Sequence, residues 1–183
     1  QLVQDVYAAG MNMMGLEHAL RENKTYPAIF ENIGWCTWNA FGPEINEEKL
    51  NAGISSFTQN NFKISFILID DGWLQVTENR RLTSFAPDAT KFPSGFTPVI
   101  DRLKAKHGVK DVGVWHTMNG YWSGVDPHSE LGSKYKDILL EFRDKYNVHH
   151  AELADDTFLM PTPVEGRGRT FYDDWYSFLA AQG

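Results

Sequence analysis

Two adjacent carboxylates, Asp70 and Asp71, follow the apolar run Ile64-Ser-Phe-Ile-Leu-Ile69 and precede Gly72-Trp73. Paired carboxylates in that position can accept hydrogen bonds from a ligand's hydroxyl groups, provided both reach the same side. Neighbours on a regular strand point to opposite faces, so the strand has to end or bend at this pair. Gly72 supplies the backbone freedom for such a turn. The competing reading has one Asp capping a nearby loop and the other solvated. Two further apolar runs end in a similar way: Trp38-Asn39 follows the first, and Trp115-His116 with Asn119-Gly-Tyr-Trp122 follows the third. Rings and hydrogen-bonding groups at all three ends suit a sugar, whose hydroxyls take bidentate carboxylate or amide partners and whose C–H face stacks on an aromatic ring. Trp35, Trp38, Trp73, Trp115 and Trp122 each have core packing as the ordinary alternative, but five near run ends exceed what a core alone asks for.

Other reactive residues carry weaker signals. His116 is a base, a metal ligand or a structural histidine, and no partner of the His-Glu-x-x-His type is present. His149-His150 with Glu152, Asp155 and Asp156 resembles a loose metal cluster in an irregular segment. Cys36 lies inside the first apolar run and reads as an inert core thiol. Gly166-Arg-Gly-Arg169 offers an anion site or a plain surface loop. Neither a phosphate-binding Gly-rich loop nor a dinucleotide fingerprint occurs, so no cofactor and no metal are expected.

The elements that must position these residues alternate. Ile33–Trp38, Ile64–Ile69 and Val109–His116 read as strands, the second apolar enough to be buried on both faces of a parallel sheet. Asn46 reads as an N-cap, with Glu47 and Glu48 favouring the dipole of a helix that carries Leu50, Ile54 and Phe57 inward. A second helix starts at Ser94 or Thr97, carries Val99, Ile100 and Leu103, and stops at Gly108. Strand–helix alternation implies right-handed parallel crossovers, and ligands then sit at the carboxyl ends of the strands. Apolar spacing further predicts helices over Gln1–Asn23, over Leu131–Tyr146 (Tyr135, Ile138, Leu139, Phe142 and Tyr146 on one side), and over Phe171–Ala181.

Composition bounds the partners. The chain has 183 residues, 24 acidic against 17 basic and a net charge of -7, which argues against nucleic acid and anionic membrane as partners. Its apolar stretches fall short of the roughly 18 residues that span a bilayer. One cysteine excludes an internal disulfide and a four-Cys zinc site. Aromatic residues make up 14%, a surplus consistent with rings left free for a ligand. A chain that begins in mid-helix reads as a piece of something longer; the single Cys and the lack of a visible leader favour a cytoplasmic location.

The three run ends also carry a resemblance. Gly34-Trp-Cys-Thr-Trp-Asn-Ala-Phe41, Ile69-Asp-Asp-Gly-Trp73 and Val114-Trp-His-Thr-Met-Asn-Gly-Tyr-Trp-Ser-Gly-Val125 resemble the raffinose synthase and seed-imbibition group of glycoside hydrolase family 36, which includes alkaline α-galactosidases. The blocks occur in that group's order, and the match runs from about Ala28 to the C-terminus, with Gly120–Arg169 matching only at its start. The resemblance implies the N-terminal part of a (β/α)8 TIM barrel of α/β class, with about three βα units, a preceding helix and an insertion after the third strand. It divides the chain into a leading helix (1–27), three strands and two helices (28–119), the insertion (120–168) and a third barrel helix (169–183). It also implies a retaining enzyme acting on terminal α-linked galactose, in raffinose-family oligosaccharides or galactinol, through a covalent glycosyl-aspartate.

By that likeness Asp70 and Asp71 hold galactose hydroxyls, Trp38 lines the same subsite, and Trp73 and Trp115 form its walls. Asn39 stands where many relatives have Asp. The group's nucleophile is the Asp of a Lys-x-Asp triplet, which occurs nowhere in this sequence. The nucleophile and the acid/base are therefore expected beyond Gly183, with this chain inactive alone. Two other classes compete: a non-catalytic galactoside-binding module, and a metal-assisted hydrolase using Asp70, Asp71 and His116.

Overall fold

A computed structural model describes residues 1–143, 157–162 and 168–183, which fall into two compact units, 1–32 and 33–183. In the first unit, helix α1 (Leu2–Met13) buries none of its residues, and it is followed by single helical turns at Glu17–Ala19, Arg21–Asn23 and Ala28–Glu31. The predicted helix over Gln1–Asn23 is therefore cut short. Gly15, at φ +67°, takes the left-handed conformation that stops a helix, and the chain does not resume one.

The second unit holds the functional residues. In chain order it comprises β1 (Gly34–Cys36), α2 (Trp38–Phe41), α3 (Glu47–Gln59), β2 (Phe66–Ile69), β3 (Leu74–Val76), β4 (Leu82–Pro87), α4 (Phe96–His107), β5 (Asp111–Val114), α5 (Glu130–Tyr135), β6 (Leu139–Arg143), β7 (Thr157–Pro161) and α6 (Gly168–Ala180). Strands β1, β2 and β5 form a parallel sheet in that order, with Trp35 opposite Ile67 and Ile69 opposite Val114. These are the three predicted strands, β1 and β5 trimmed at both ends and β2 only at its start.

Asn46 caps α3, its side chain accepting from the Lys49 N–H at 2.8 Å. Helix α4 begins after Gly95 and ends in left-handed Gly108, where the Val109 N–H reaches back to the Leu103 carbonyl. Leu50 and Ile54 of α3 and Val99, Ile100 and Leu103 of α4 bury with Ile67 and Ile69 in one apolar cluster. Phe66 and Leu68, on the opposite face of β2, are only half-buried, so the strand is not buried on both faces as expected. Among the described residues the helices cover one side of the sheet.

Two antiparallel hairpins escaped the sequence reading. β3 pairs with β4 within the connection from β2 to α4, and β6 pairs with β7 in full register from Leu139–Pro161 to Arg143–Thr157. The helix predicted over Leu131–Tyr146 thus ends at Tyr135. The residues after it meet β7, where Phe142 and Phe158 stack across strands at 6.4 Å. Helix α6 buries Phe171 and Trp175, and Phe85 of β4 stacks on Trp175 at 5.2 Å and 12°. Truncating a fully buried Trp of this kind costs about 3–5 kcal/mol. Much of the aromatic surplus is spent here, in packing. No helix among the described residues is long and apolar enough to cross a membrane.

Candidate functional site

The sheet places the ends of β1, β2 and β5 side by side, and hydrogen bonds lock the loops that follow. Thr37, fully buried just after β1, donates its N–H to the Leu68 carbonyl at 3.1 Å, and its Oγ1 accepts from the Asp70 N–H at 3.0 Å. The Asp70 carboxylate takes the Asp71 N–H on Oδ1 at 2.7 Å and the Cys36 thiol on Oδ2 at 2.9 Å. The strand then turns: Gly72 sits at φ +109°, and a Cβ there would lie 2.4 Å from the Pro43 carbonyl oxygen. No other residue fits both conditions. Lys91 Nζ fastens the two loops together, donating to the Pro43 carbonyl at 2.8 Å and the Gly72 carbonyl at 2.7 Å.

That turn brings Asp71 under the loop after β5. The carboxylate is buried and takes one donor on each oxygen: Tyr121 Oη donates to Oδ1 at 2.6 Å and Trp122 Nε1 to Oδ2 at 2.7 Å. Burial and the bond to Asp71 push the Tyr121 phenol well above its ordinary pKa, so it stays a donor. Trp115 completes the cluster, edge-on to Tyr121 at 6.2 Å and tilted 31° to Trp122 at 5.4 Å. Asp70, Asp71 and Trp115 are thus brought together. Trp38 stands on α2 at the same end of the sheet, 45% exposed.

Three expectations change. Trp73 has no exposed surface; its ring packs on Phe96 at 5.0 Å and its Nε1 donates to the Trp115 carbonyl at 2.7 Å, so it offers no face to a ligand and cannot be the wall expected of it. Cys36 is exposed, not a core thiol. Trp35 takes the helix-facing position of β1, against Phe57 at 5.3 Å, and strand alternation turns Cys36 the other way, to Asp70. Partial burial and the carboxylate push its thiol pKa up. His116 has both ring nitrogens occupied, with the Thr117 carbonyl at 2.9 Å and Tyr176 Oη at 3.3 Å. Among the described residues no three His, Cys, Asp or Glu side chains gather as metal ligands, so the metal-assisted reading has no ligand set there. The His149-His150 cluster and Gly166–Arg167 lie outside the described residues.

Thr37, Lys91, Tyr121 and Trp122 are the participants that sequence reasoning did not assign. Tyr121 and Trp122 carried a signal in their place after the third run; Lys91, reaching back across 48 residues to Pro43, carried none. An open groove of about 550 Å³ between β4, α5 and Phe178 contains none of these residues. Chemically, the cluster presents two fixed carboxylates that, among the described residues, are bound by neutral donors, with aromatic rings alongside. Such a cluster has the chemistry to accept hydrogen bonds from hydroxyl groups.

Comparison with solved structures gives the class first: a mixed α/β protein with the fold of the GH36 α-galactosidases. The enzyme from Geobacillus stearothermophilus superposes with a TM-score of 0.60 at 20% identity, over 83% of this chain and 20% of its own. An α-galactosidase from Thermus thermophilus, solved with stachyose, gives 0.58 at 21% identity over 83% of this chain and 30% of its own. The family described as "Raffinose synthase or seed imbibition protein Sip1" matches residues 1–91 and 78–183, and the chain belongs to it. Among relatives, "Probable galactinol--sucrose galactosyltransferase 6" of Arabidopsis thaliana is 31% identical over 188 residues, covering 89% of this chain and 24% of that protein. The "Galactinol--sucrose galactosyltransferase" of Oryza sativa subsp. japonica is 30% identical, covering 90% and 24%. The chain therefore spans about a quarter of the length of these relatives.

Proposed function

We propose that this chain supplies the galactose-binding strand ends of a retaining glycosidase or transglycosidase acting on terminal α-linked galactose. The observation that carries the reading is the buried Asp71 carboxylate, clamped by Tyr121 and Trp122 beside Asp70 at the carboxyl end of parallel strands. Relatives named as galactinol–sucrose galactosyltransferases and a structural neighbour solved with stachyose support the choice of sugar. In this reading β1, β2 and β5 with α3, α4 and α6 are the first three βα units of a (β/α)8 barrel. The β3–β4 hairpin is inserted in the second unit, and 120–168 in the third.

The reading also assigns what each residue does. Asp70 and Asp71 accept galactose hydroxyls through lone pairs not used by Cys36, Tyr121 and Trp122. Trp38 and Trp115 line the sugar, and Trp73 holds Trp115 through its carbonyl. A retaining mechanism needs two carboxyl groups about 5–5.5 Å apart across the anomeric carbon. Asp70 and Asp71 serve as binders, so the nucleophile and acid/base lie beyond Gly183 and the chain alone is inactive. Hydrolysis and transfer share the glycosyl-enzyme and differ in whether water or a sugar hydroxyl accepts the galactosyl group.

The test uses the full-length protein. Asp70→Asn should lower turnover of an aryl α-galactoside by about 100-fold or more, because hydrogen bonds to a sugar tighten in the transition state. Mass spectrometry after a galactose-configured covalent inactivator should locate the label on an Asp past Gly183. Near-normal turnover of the variant, or a label on Asp70 or Asp71, overturns the assignment.

A further inference from the structure

Neither Tyr121 nor Trp122, the two donors that hold Asp71, belongs to a strand or a helix. What fixes them is the stretch that follows. The Gly124 N–H closes a turn onto the Tyr121 carbonyl at 2.9 Å, and the Ser123 N–H donates to the Arg80 carbonyl at 2.9 Å. Val125, fully buried, pairs with Leu82 of β4 on one side and with Leu159 of β7 on the other. Towards β4, the Leu82 N–H donates to the Gly124 carbonyl and the Asp126 N–H to the Leu82 carbonyl, each at 2.9 Å; towards β7, the Val125 N–H donates to the Leu159 carbonyl at 2.8 Å. Residues 123–126 therefore lie between the two antiparallel hairpins, β3–β4 and β6–β7, and join them.

The junction is tight enough to admit one residue type. Gly124 sits at φ +77°, and a Cβ there would lie 2.3 Å from the Leu159 carbonyl oxygen and 3.0 Å from the Leu159 carbonyl carbon and nitrogen. These are backbone atoms and cannot swing aside. A side chain at 124 must push β7 away or displace the turn that begins at Tyr121. Hydrogen bonds weaken steeply as their angle closes, so a displaced turn is felt at the Asp71 carboxylate three residues upstream in the same loop.

We infer that Gly124 is a positioning residue for the sugar site: through it, the two hairpins register Tyr121 and Trp122 on Asp71. The functional weight of this rests on the galactoside reading above and deepens it. Asp71 meets a sugar hydroxyl in the orientation its two donors impose, so affinity for galactose is set in part where β4 and β7 meet. The hairpins contribute no side chain to the ligand; they hold the donors that hold the carboxylate.

The test follows the Trp122 indole N–H resonance of the purified chain, assigned by its loss in Trp122→Phe, together with binding of methyl α-galactoside. Asp71→Asn gives the position of that resonance when the charged acceptor is gone. Gly124→Ala should move the resonance most of the way to that position and weaken the sugar by about tenfold. Two controls should lower stability while leaving resonance and affinity in place. Gly95→Ala puts the same left-handed strain (φ +72°) into open space, and Leu103→Ala opens a cavity in the core beneath α4. An unmoved resonance in Gly124→Ala overturns the inference. A moved resonance with unchanged sugar affinity supports the brace and overturns the galactoside reading instead. A further measurement needs no variant to fold: in hydrogen exchange of the unaltered chain under rising urea, the Trp122 indole N–H should open with the Leu82 and Val125 amides as one unit. An indole that opens well before those amides overturns the inference too.

Discussion

Cys36 and Asp70 share a hydrogen bond of 2.9 Å, and the chain has no other thiol, so the chemistry of this one sulfur reports on the carboxylate beside it. The thiolate is the reactive form. Partial burial, the S–H···O bond and the negative charge of Asp70 all favour the neutral thiol. Replacing Asp70 by Asn removes the charge and weakens the acceptor, so thiolate forms at lower pH. Alkylation by iodoacetamide, followed across pH, should show its midpoint move down in Asp70→Asn and its rate near pH 8 rise. An unmoved midpoint would mean that the carboxylate does not face the sulfur. The pair of acids itself was legible in the sequence, because an apolar run ending in two carboxylates and a Gly has few ordinary explanations. What turned Trp73 inward was not legible: its burial depends on Phe96, brought up by α4, and on a carbonyl 42 residues away. Cys36 was misread for a related reason, since a three-residue strand exposes every second side chain wherever one face lacks a cover.

At the scale of elements, local signals survived where the partner was near in sequence. The cap of α3 at Asn46 and the stop of α4 at Gly108 were both readable, because each is made by groups within a turn or two. The β6–β7 hairpin was not, since Leu139-Leu-Glu-Phe-Arg143 continues the helical spacing of α5 and only β7 decides otherwise. Long-range charge pairing is similarly hidden, and one pair yields a pH prediction. Glu47, in the first turn of α3, accepts both guanidinium nitrogens of Arg102 from α4 at 3.0 Å and the Ser94 hydroxyl at 3.1 Å. Burial alone would raise its pKa, but Arg102 and Ser94 together hold the carboxyl below its ordinary range. A carboxyl depressed in the folded state adds stability above its unfolded pKa and loses it as the pH falls through the folded one. Glu47→Gln should therefore lower stability near neutral pH by about 1 kcal/mol or less, since Arg102 is partly solvated. The difference from wild type should shrink as the pH drops below 4, as measured by urea midpoints. A constant difference down to pH 3 would show that the charge contributes nothing.

For the whole molecule, the division into two units carries a consequence for where stability and binding reside. Every member of the buried apolar cluster, from Ile45 to Trp175, belongs to residues 33–183. So do Thr37, Asp70, Asp71, Lys91, Trp115, Tyr121 and Trp122, the residues that build and brace the site. Helix α1, by contrast, buries none of its residues and exposes Leu2, Val3 and Val6. Since the buried apolar cluster that stabilises the fold lies outside 1–32, a chain of residues 33–183 should unfold cooperatively at nearly the urea midpoint of the full 183, when followed by tryptophan fluorescence. All six tryptophans lie in that unit, so the probe is unchanged by the truncation. The same shortened chain should bind methyl α-galactoside with affinity within about twofold of the intact one, a difference of less than RT. A fall in midpoint with binding retained would assign 1–32 a role in stability alone. A loss of binding at an unchanged midpoint would place part of the sugar site in the first unit, and would refute the restriction of the site to the ends of β1, β2 and β5.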